Sequence, residues 1–82
     1  MVDELDMPTV LRIRGFQFFF FSEEGNEPAH IHVRKGGGVA KFWLAPVKLA
    51  YNDGFKKQEI GEIVRLLSKH ENELIRAWNE IE

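Results

Sequence analysis

The fold of this chain is decided by one stretch of its sequence, Ala29-His30-Ile31-His32-Val33-Arg34-Lys35-Gly36-Gly37-Gly38-Val39-Ala40-Lys41-Phe42-Trp43-Leu44. Apolar and polar side chains alternate on both sides of the glycine run, which is typical of two half-buried strands joined by a turn. We therefore predict a hairpin with strands over residues 29–34 and 39–44. Its apolar face consists of Ile31, Val33, Ala40, Phe42 and Leu44.

Three further strands are predicted around this hairpin. Residues 7–13 and 16–22 are rich in β-branched and aromatic side chains, and Arg14-Gly15 between them is typical of a tight turn. Downstream, Pro46 interrupts the pattern, and a short strand is predicted over residues 47–51. The chain therefore begins with five consecutive strands.

A change of period marks the C-terminal part of the chain. From about Lys57 the apolar residues recur every three to four positions, which predicts an amphipathic helix to the C-terminus. One unbroken helix would be about 36 Å long, more than a small sheet can cover. Because Ser68-Lys69-His70-Glu71 also has the spacing of a capping box, we expect a kink or break near residues 70–72. The apolar stripe consists of Ile60, Ile63, Val64, Leu67, Leu74, Trp78 and Ile81.

These patterns predict the α+β class: a small antiparallel sheet of about five strands, with a C-terminal helix, kinked or split into two, packed on one face. The apolar face of the sheet and the stripe of the helix must cover each other. We expect one core that consists of Ile31, Val33, Ala40, Phe42, Leu44, Ile60, Ile63, Val64 and Leu67.

The length and composition exclude several classes of protein. With 82 residues the chain has material for one domain, which we place at residues 7–82 behind an acidic tail over residues 1–6. No apolar run approaches the roughly 20 residues that span a bilayer, and the N-terminus lacks the pattern of a signal peptide, so we expect a cytoplasmic protein with no membrane partner. Without cysteine, disulfides and cysteine-ligated metals are excluded.

Charge is distributed unevenly along the chain. The net charge is −2, yet residues 9–48 carry six bases against three acids, while residues 1–8 carry three acids and no base. Strand alternation places most of these bases, with two histidines, on the face away from the helix. Phe19 and Phe21 would lie among them, because Phe16, Phe18 and Phe20 occupy the apolar face. The predicted binding residues are Arg12, Arg14, Arg34, Lys41 and Trp43.

The histidines are the candidate catalytic residues. His30 and His32 stand two positions apart on one strand, so they would project in parallel and could serve as general acid or base near neutral pH. They could equally form a structural polar cluster. We assign no metal and no cofactor, because only two nitrogen ligands are visible and a closed zinc site needs four. A carboxylate from Glu23, Glu24 or Glu27 would be needed for a metal-dependent hydrolase.

Several short motifs in the sequence are more specific than the alternation of apolar and polar residues. They are Met7-Pro8, Val10-Leu11-Arg12-Ile13, Gly15-Phe16, Gly25-Asn26-Glu27-Pro28-Ala29-His30-Ile31-His32-Val33, Ala40-Lys41-Phe42-Trp43-Leu44 and the segment 74–78. In these features, from residue 7 to its end, the chain strongly resembles the small bacterial family termed domain of unknown function 4160. It departs from the family pattern at Ala29, usually Pro, at Lys56-Lys57, often Ser-Pro, and at Asn79, often His. The last departure weakens any role for an imidazole near the C-terminus.

The resemblance implies a biological setting but no catalytic residue. Genes of this family commonly lie beside another small uncharacterised gene, in an arrangement like a toxin-antitoxin or phage-defence module with this family as the toxin. The implied partner is an antitoxin-like small protein from the adjacent gene, and homo-oligomers are compatible with the sequence.

Two functions of different classes follow from these observations. The first is a toxin that acts on RNA. The basic side chains of the predicted binding residues bind phosphates, Trp43 stacks on a nucleobase, and His30 or His32 transfers a proton. The second is a non-catalytic binding or regulatory module whose basic face docks an acidic partner protein or a DNA complex.

Overall fold

A computed structural model describes residues 9–21 and 26–81 of the chain. The predicted acidic tail, the predicted strand ends at residues 7–8 and 22, and the loop acids Glu23 and Glu24 lie outside the described residues. In the described part, no helix is long and apolar enough to cross a membrane.

In the described part of the chain, five strands form one antiparallel sheet, and their order in the sheet is their order in the sequence. Each strand therefore pairs with its sequence neighbours, and the predicted succession of hairpins is confirmed. The strands are β1 (Thr9–Ile13), β2 (Phe16–Phe19), β3 (His30–Lys35), β4 (Gly38–Leu44) and β5 (Val47–Asp53).

The first hairpin closes through the predicted two-residue turn. Arg14 and Gly15 have φ angles of 54° and 85°. Positive φ at both central positions matches the right-handed twist of the flanking strands, which favours this turn over its mirror image. The positive φ also takes Arg14 out of the alternation of β1.

Two helices follow the sheet, α1 (Lys57–Lys69) and α2 (Glu71–Ile81). The start of α1 is capped by Glu59, whose carboxylate accepts a hydrogen bond from the Lys56 backbone N–H at 2.8 Å. The break falls at His70, as predicted. The capping box predicted at Ser68 is wrong, because Ser68 lies inside α1 and the new helix begins after His70.

The helices pack on the face of the sheet that carries the predicted apolar set. Seven of the nine predicted core residues are buried, and Ile60 and Val64 are partly buried against them. The second helix adds Leu74 and Trp78. The core is completed by Phe16, Phe18, Phe20 and Phe55.

Candidate binding face

The face of the sheet that points away from the helices is termed the open face. Directly opposed residues of neighbouring strands project to the same face, so the register decides its members. One cross-strand row runs from Phe19 through His32 and Lys41 to Tyr51. By the same pairing the other members include Arg12, Gln17, His30, Arg34, Val39, Trp43, Lys48 and Asp53.

Tyr51 reaches the open face because of a β-bulge. Lys41 pairs with Tyr51 while the next residue, Phe42, pairs with Leu49, so Ala50 is an extra residue in β5. A bulge reverses the alternation beyond it. Leu49 therefore projects to the helix side of the sheet, like the buried Phe42, whereas Tyr51 projects to the open face beside Lys41.

A pocket opens on the open face. Its volume is about 330 Å³, and it is lined by Phe19, Phe21, His32, Val39, Lys41 and Tyr51, together with Val33 and Ala40. Two of the lining side chains, Val39 and Tyr51, are 41% and 56% exposed. This open-face pocket is thus an apolar concavity with exposed hydrophobic rims, and such concavities are typical of binding sites.

His32 lies within the aromatic part of the pocket. Its ring stacks on Phe19, with centroids 5.6 Å apart and planes at 23°, and meets Phe21 edge to face at 4.3 Å. The side chain is half-buried. These contacts hold the imidazole in one orientation and leave part of it accessible from the open face.

Lys41 forms the charged side of the pocket. Its ammonium nitrogen lies 2.7 Å from the Glu27 carboxylate oxygen Oε1 and 4.8 Å from the centre of the Trp43 ring. Of the three loop acids considered from the sequence, Glu27 is therefore placed at the open face. It comes within 3.6 Å of His30 Nδ1 as well.

His30 follows the predicted alternation, since it pairs with Trp43, but it does not lie on the accessible surface, which corrects the expectation that both histidines are available there. Its side chain is 0% exposed and is enclosed by Trp78 of α2, at a centroid distance of 4.8 Å, and by Trp43 at 5.8 Å. The Pro28 carbonyl oxygen lies 2.9 Å from Nδ1, so the Nδ1–H tautomer donates a hydrogen bond to it. His30 and His32 are close, at 5.4 Å between centroids, but only His32 reaches the pocket.

The predicted arginines separate into two groups. Arg34 is on the open face, with its guanidinium 5.4 Å from the Phe19 ring centre and its Nε donating to Gln17 Oε1 at 3.2 Å. Arg12 is exposed opposite Gln17. Placing Arg14 on this face was wrong, because its side chain leaves the turn toward the helices and pairs with Glu62 of α1 at 3.0 Å.

No metal centre is formed by the described side chains. Within residues 9–21 and 26–81, no three histidine, cysteine, aspartate or glutamate residues lie close enough to hold an ion. The metal-dependent alternative would therefore need Glu23 or Glu24, which are outside that part of the chain.

Sequence comparison identifies the family of the chain. Residues 15–79 match the family model described as domain of unknown function (DUF4160). The chain belongs to this family. The DUF4160 match spans β2 to α2 and so includes the open-face pocket and Glu27, whereas Arg12 and Arg14 precede it. Neither the curated proteins nor the solved structures contain a match to the chain.

Sequence reasoning missed the pocket itself. Phe19 and Phe21 were placed correctly among the basic residues, but Val39 and Tyr51 were not recognised as their neighbours. The one available indication was that Val39 shares the alternation of Lys41 and Trp43. Tyr51 could not be assigned in this way, because the bulge at Ala50 is not evident from the sequence.

Proposed function

We propose that this chain is a binding module that docks an acidic partner protein on the open face, with an apolar or aromatic side chain of the partner inserted in the pocket. The observation that carries this proposal is the pocket of about 330 Å³ with exposed Val39 and Tyr51 at its rim and cations beside it. An interface typically combines such an apolar anchor site with a polar surround.

The charges around the pocket favour an acidic protein over RNA. Among residues 9–21 and 26–81, the open face carries Arg12, Arg34, Lys41 and Lys48 against Glu27 and Asp53, and Glu27 already pairs with Lys41. A nucleic-acid groove needs a stripe of cations that follows several phosphates. A small excess of positive charge around an apolar pocket is better suited to a short acidic segment of a protein.

The burial of His30 supports binding rather than the RNA-cleaving mechanism. Cleavage of RNA requires a general base for the 2′-hydroxyl and a general acid for the leaving oxygen. His30 is enclosed by Trp43 and Trp78, so the two predicted catalytic histidines do not face a substrate together.

The biological setting is also part of the proposal. In the setting that the resemblance to the DUF4160 family implies, the chain belongs to a cytoplasmic toxin-antitoxin or phage-defence pair, and the acidic partner is the small protein encoded by the adjacent gene. In this setting the chain would exert its effect as part of the complex with that small protein.

The experiment uses the full chain and a fluorescein-labelled peptide in which Glu and Asp surround one central Phe. Fluorescence anisotropy should show saturable binding at low salt. Replacing the central Phe by Ala should weaken binding about tenfold or more, because it empties the pocket. Replacing the acids by Gln and Asn should weaken it about two- to fivefold, because it removes the charge match with the cations of the open face.

A matched pair of variants locates the site. Tyr51→Ala removes a pocket wall, whereas Leu49→Ala truncates an exposed residue of the same strand on the opposite side. Only Tyr51→Ala should weaken peptide binding. Tighter binding of a single-stranded RNA oligomer than of the peptide, or equal effects of the two variants, would contradict the proposal.

A further inference from the structure

We infer that the Glu27 carboxylate is an internal stand-in for a carboxylate of the partner, so that binding exchanges one anion for another at Lys41. This inference rests on the proposed function, because it names how the same pocket selects its ligand. Its starting point is the short contact of 2.7 Å between Glu27 Oε1 and Lys41 Nζ, at the side of an apolar pocket.

The two members of this ion pair are held differently. Lys41 belongs to β4, a central part of the sheet, and is paired with His32 and Tyr51 on either side. Its side chain is only 20% exposed, whereas that of Glu27 is 45% exposed and projects from an irregular segment. A change of partner at this position therefore moves the glutamate and leaves the lysine in place.

The chain that carries Glu27 is anchored just after it. The Pro28 carbonyl accepts a hydrogen bond from His30, and the Ala29 carbonyl accepts one from the Leu44 N–H at 3.0 Å. These anchors hold the backbone of Glu27 near the pocket. The glutamate side chain can nevertheless leave Lys41 by rotation of its own bonds, without breaking either anchor.

The geometry also defines the ligand class. Lys41 lines the pocket and places its ammonium group over Trp43 at 4.8 Å, so a carboxylate bound there is next to the apolar cavity. One ligand that satisfies both features is a protein segment in which Asp or Glu neighbours an aromatic or branched apolar residue. Lys41 would then determine specificity for the acid, and the cavity would bind the neighbouring side chain.

Exchange of anions has a measurable consequence. In the wild-type chain the partner's carboxylate must displace Glu27, so the new ion pair replaces an old one and adds little affinity. If Glu27 is neutral, the same carboxylate meets a lysine that has lost its anionic neighbour. Because a partly exposed ion pair contributes modestly, Glu27→Gln should tighten binding of the acidic peptide about two- to fivefold and make it more sensitive to salt.

The control variant removes the same charge elsewhere. Glu62→Gln also deletes one carboxylate from an ion pair, with Arg14, but on the helix side of the molecule. If Glu27 acts locally, Glu62→Gln should leave affinity and salt dependence unchanged. Lys41→Gln should reduce the preference for the acidic peptide over its Gln and Asn counterpart, because it removes the cation beside the pocket and leaves Glu27 without this ion pair, while Phe-dependent binding in the pocket persists.

Isothermal titration calorimetry with the acidic peptide and its neutral counterpart decides the matter. Tighter acidic-peptide binding by Glu27→Gln and not by Glu62→Gln, together with a reduced acid preference in Lys41→Gln, is the expected result. If the wild type binds and Tyr51→Ala weakens binding, but Glu27→Gln is equal to or weaker than the wild type, the stand-in role is overturned and the binding module stands. If the wild type binds neither peptide, the proposed function itself fails.

Discussion

The two faces of the sheet are formed by the same strands but differ in how far their apolar side chains are buried. On the helix side, Phe18, Ile31 and Phe42 are completely buried, and α1 and α2 supply the apolar surface that covers them. On the open face, Val39 and Tyr51 remain exposed around an apolar pocket, with cations beside it. The comparison shows that the chain itself covers the apolar surface on the helix side but leaves apolar side chains exposed on the open face, which is where we propose that a partner binds.

The largest effect on stability should come from a substitution on the helix side of the sheet. Phe42→Ala removes a fully buried ring at the centre of the core and should lower the free energy of unfolding by about 3 to 5 kcal/mol, measured by urea-induced unfolding. Tyr51→Ala on the open face should change it by no more than about 0.5 kcal/mol. Equal losses in the two variants would mean that the faces do not differ as described.

The second comparison uses the two histidines of β3. His30→Ala leaves a cavity beside Trp78 and removes the hydrogen bond to Pro28. We therefore expect the free energy of unfolding, measured by thermal unfolding, to fall by about 2 to 4 kcal/mol. His32→Ala truncates a half-buried ring and should cost about 1 kcal/mol. A His30→Ala protein as stable as the wild type would support the earlier expectation from alternation and contradict the enclosure of this ring.

The third comparison concerns two neighbouring glycines at the start of β4. A Cβ added at Gly38 would lie 2.8 Å from the Phe55 ring, whereas one added at Gly37 meets no atom within 4 Å. Gly38→Ala should therefore destabilise the protein by about 1 to 3 kcal/mol through overpacking, with Gly37→Ala nearly neutral. Chemical denaturation of the two variants side by side gives the test, and the reverse order would refute the packing of Phe55 against this strand.

The smallest effect separates two arginines that the sequence places together. Arg34→Ala should weaken binding of the acidic peptide about two- to fivefold and reduce its salt dependence, because Arg34 lies on the open face beside Phe19. Arg14→Ala should leave both quantities unchanged, since Arg14 pairs with Glu62 on the helix side. Anisotropy titrations at two salt concentrations compare them. Equal weakening would indicate a general effect of net charge and not a defined face.

The elements and the core could be predicted because their information is local. The alternation in β3 and β4 and the helical stripe after Lys57 each predict which apolar side chains share a face. Burial of both faces then requires the helices to pack on the sheet. The break at His70 followed from the same reasoning, since the helix had to remain on a small sheet. Its cap could not be assigned, because Ser68 has a suitable spacing but stays within α1.

The site was predicted only in part because its geometry depends on contacts distant in sequence. His30 follows the alternation of its strand, yet Trp78, 48 positions later, covers it. Arg14 stands in a turn with positive φ, where alternation no longer gives the direction of a side chain. Tyr51 reaches the pocket through a bulge that depends on the pairing of β5 with β4.

The most direct test of the open face as a binding surface is amide chemical-shift mapping by NMR, with the full chain titrated by the acidic peptide that carries one Phe. The account predicts that the largest shifts occur around the pocket, at Phe19, His32, Lys41 and Tyr51, and that the amides of α1 move little. Shifts concentrated on α1 and α2, or a saturating peptide that leaves the pocket amides unmoved, would contradict it.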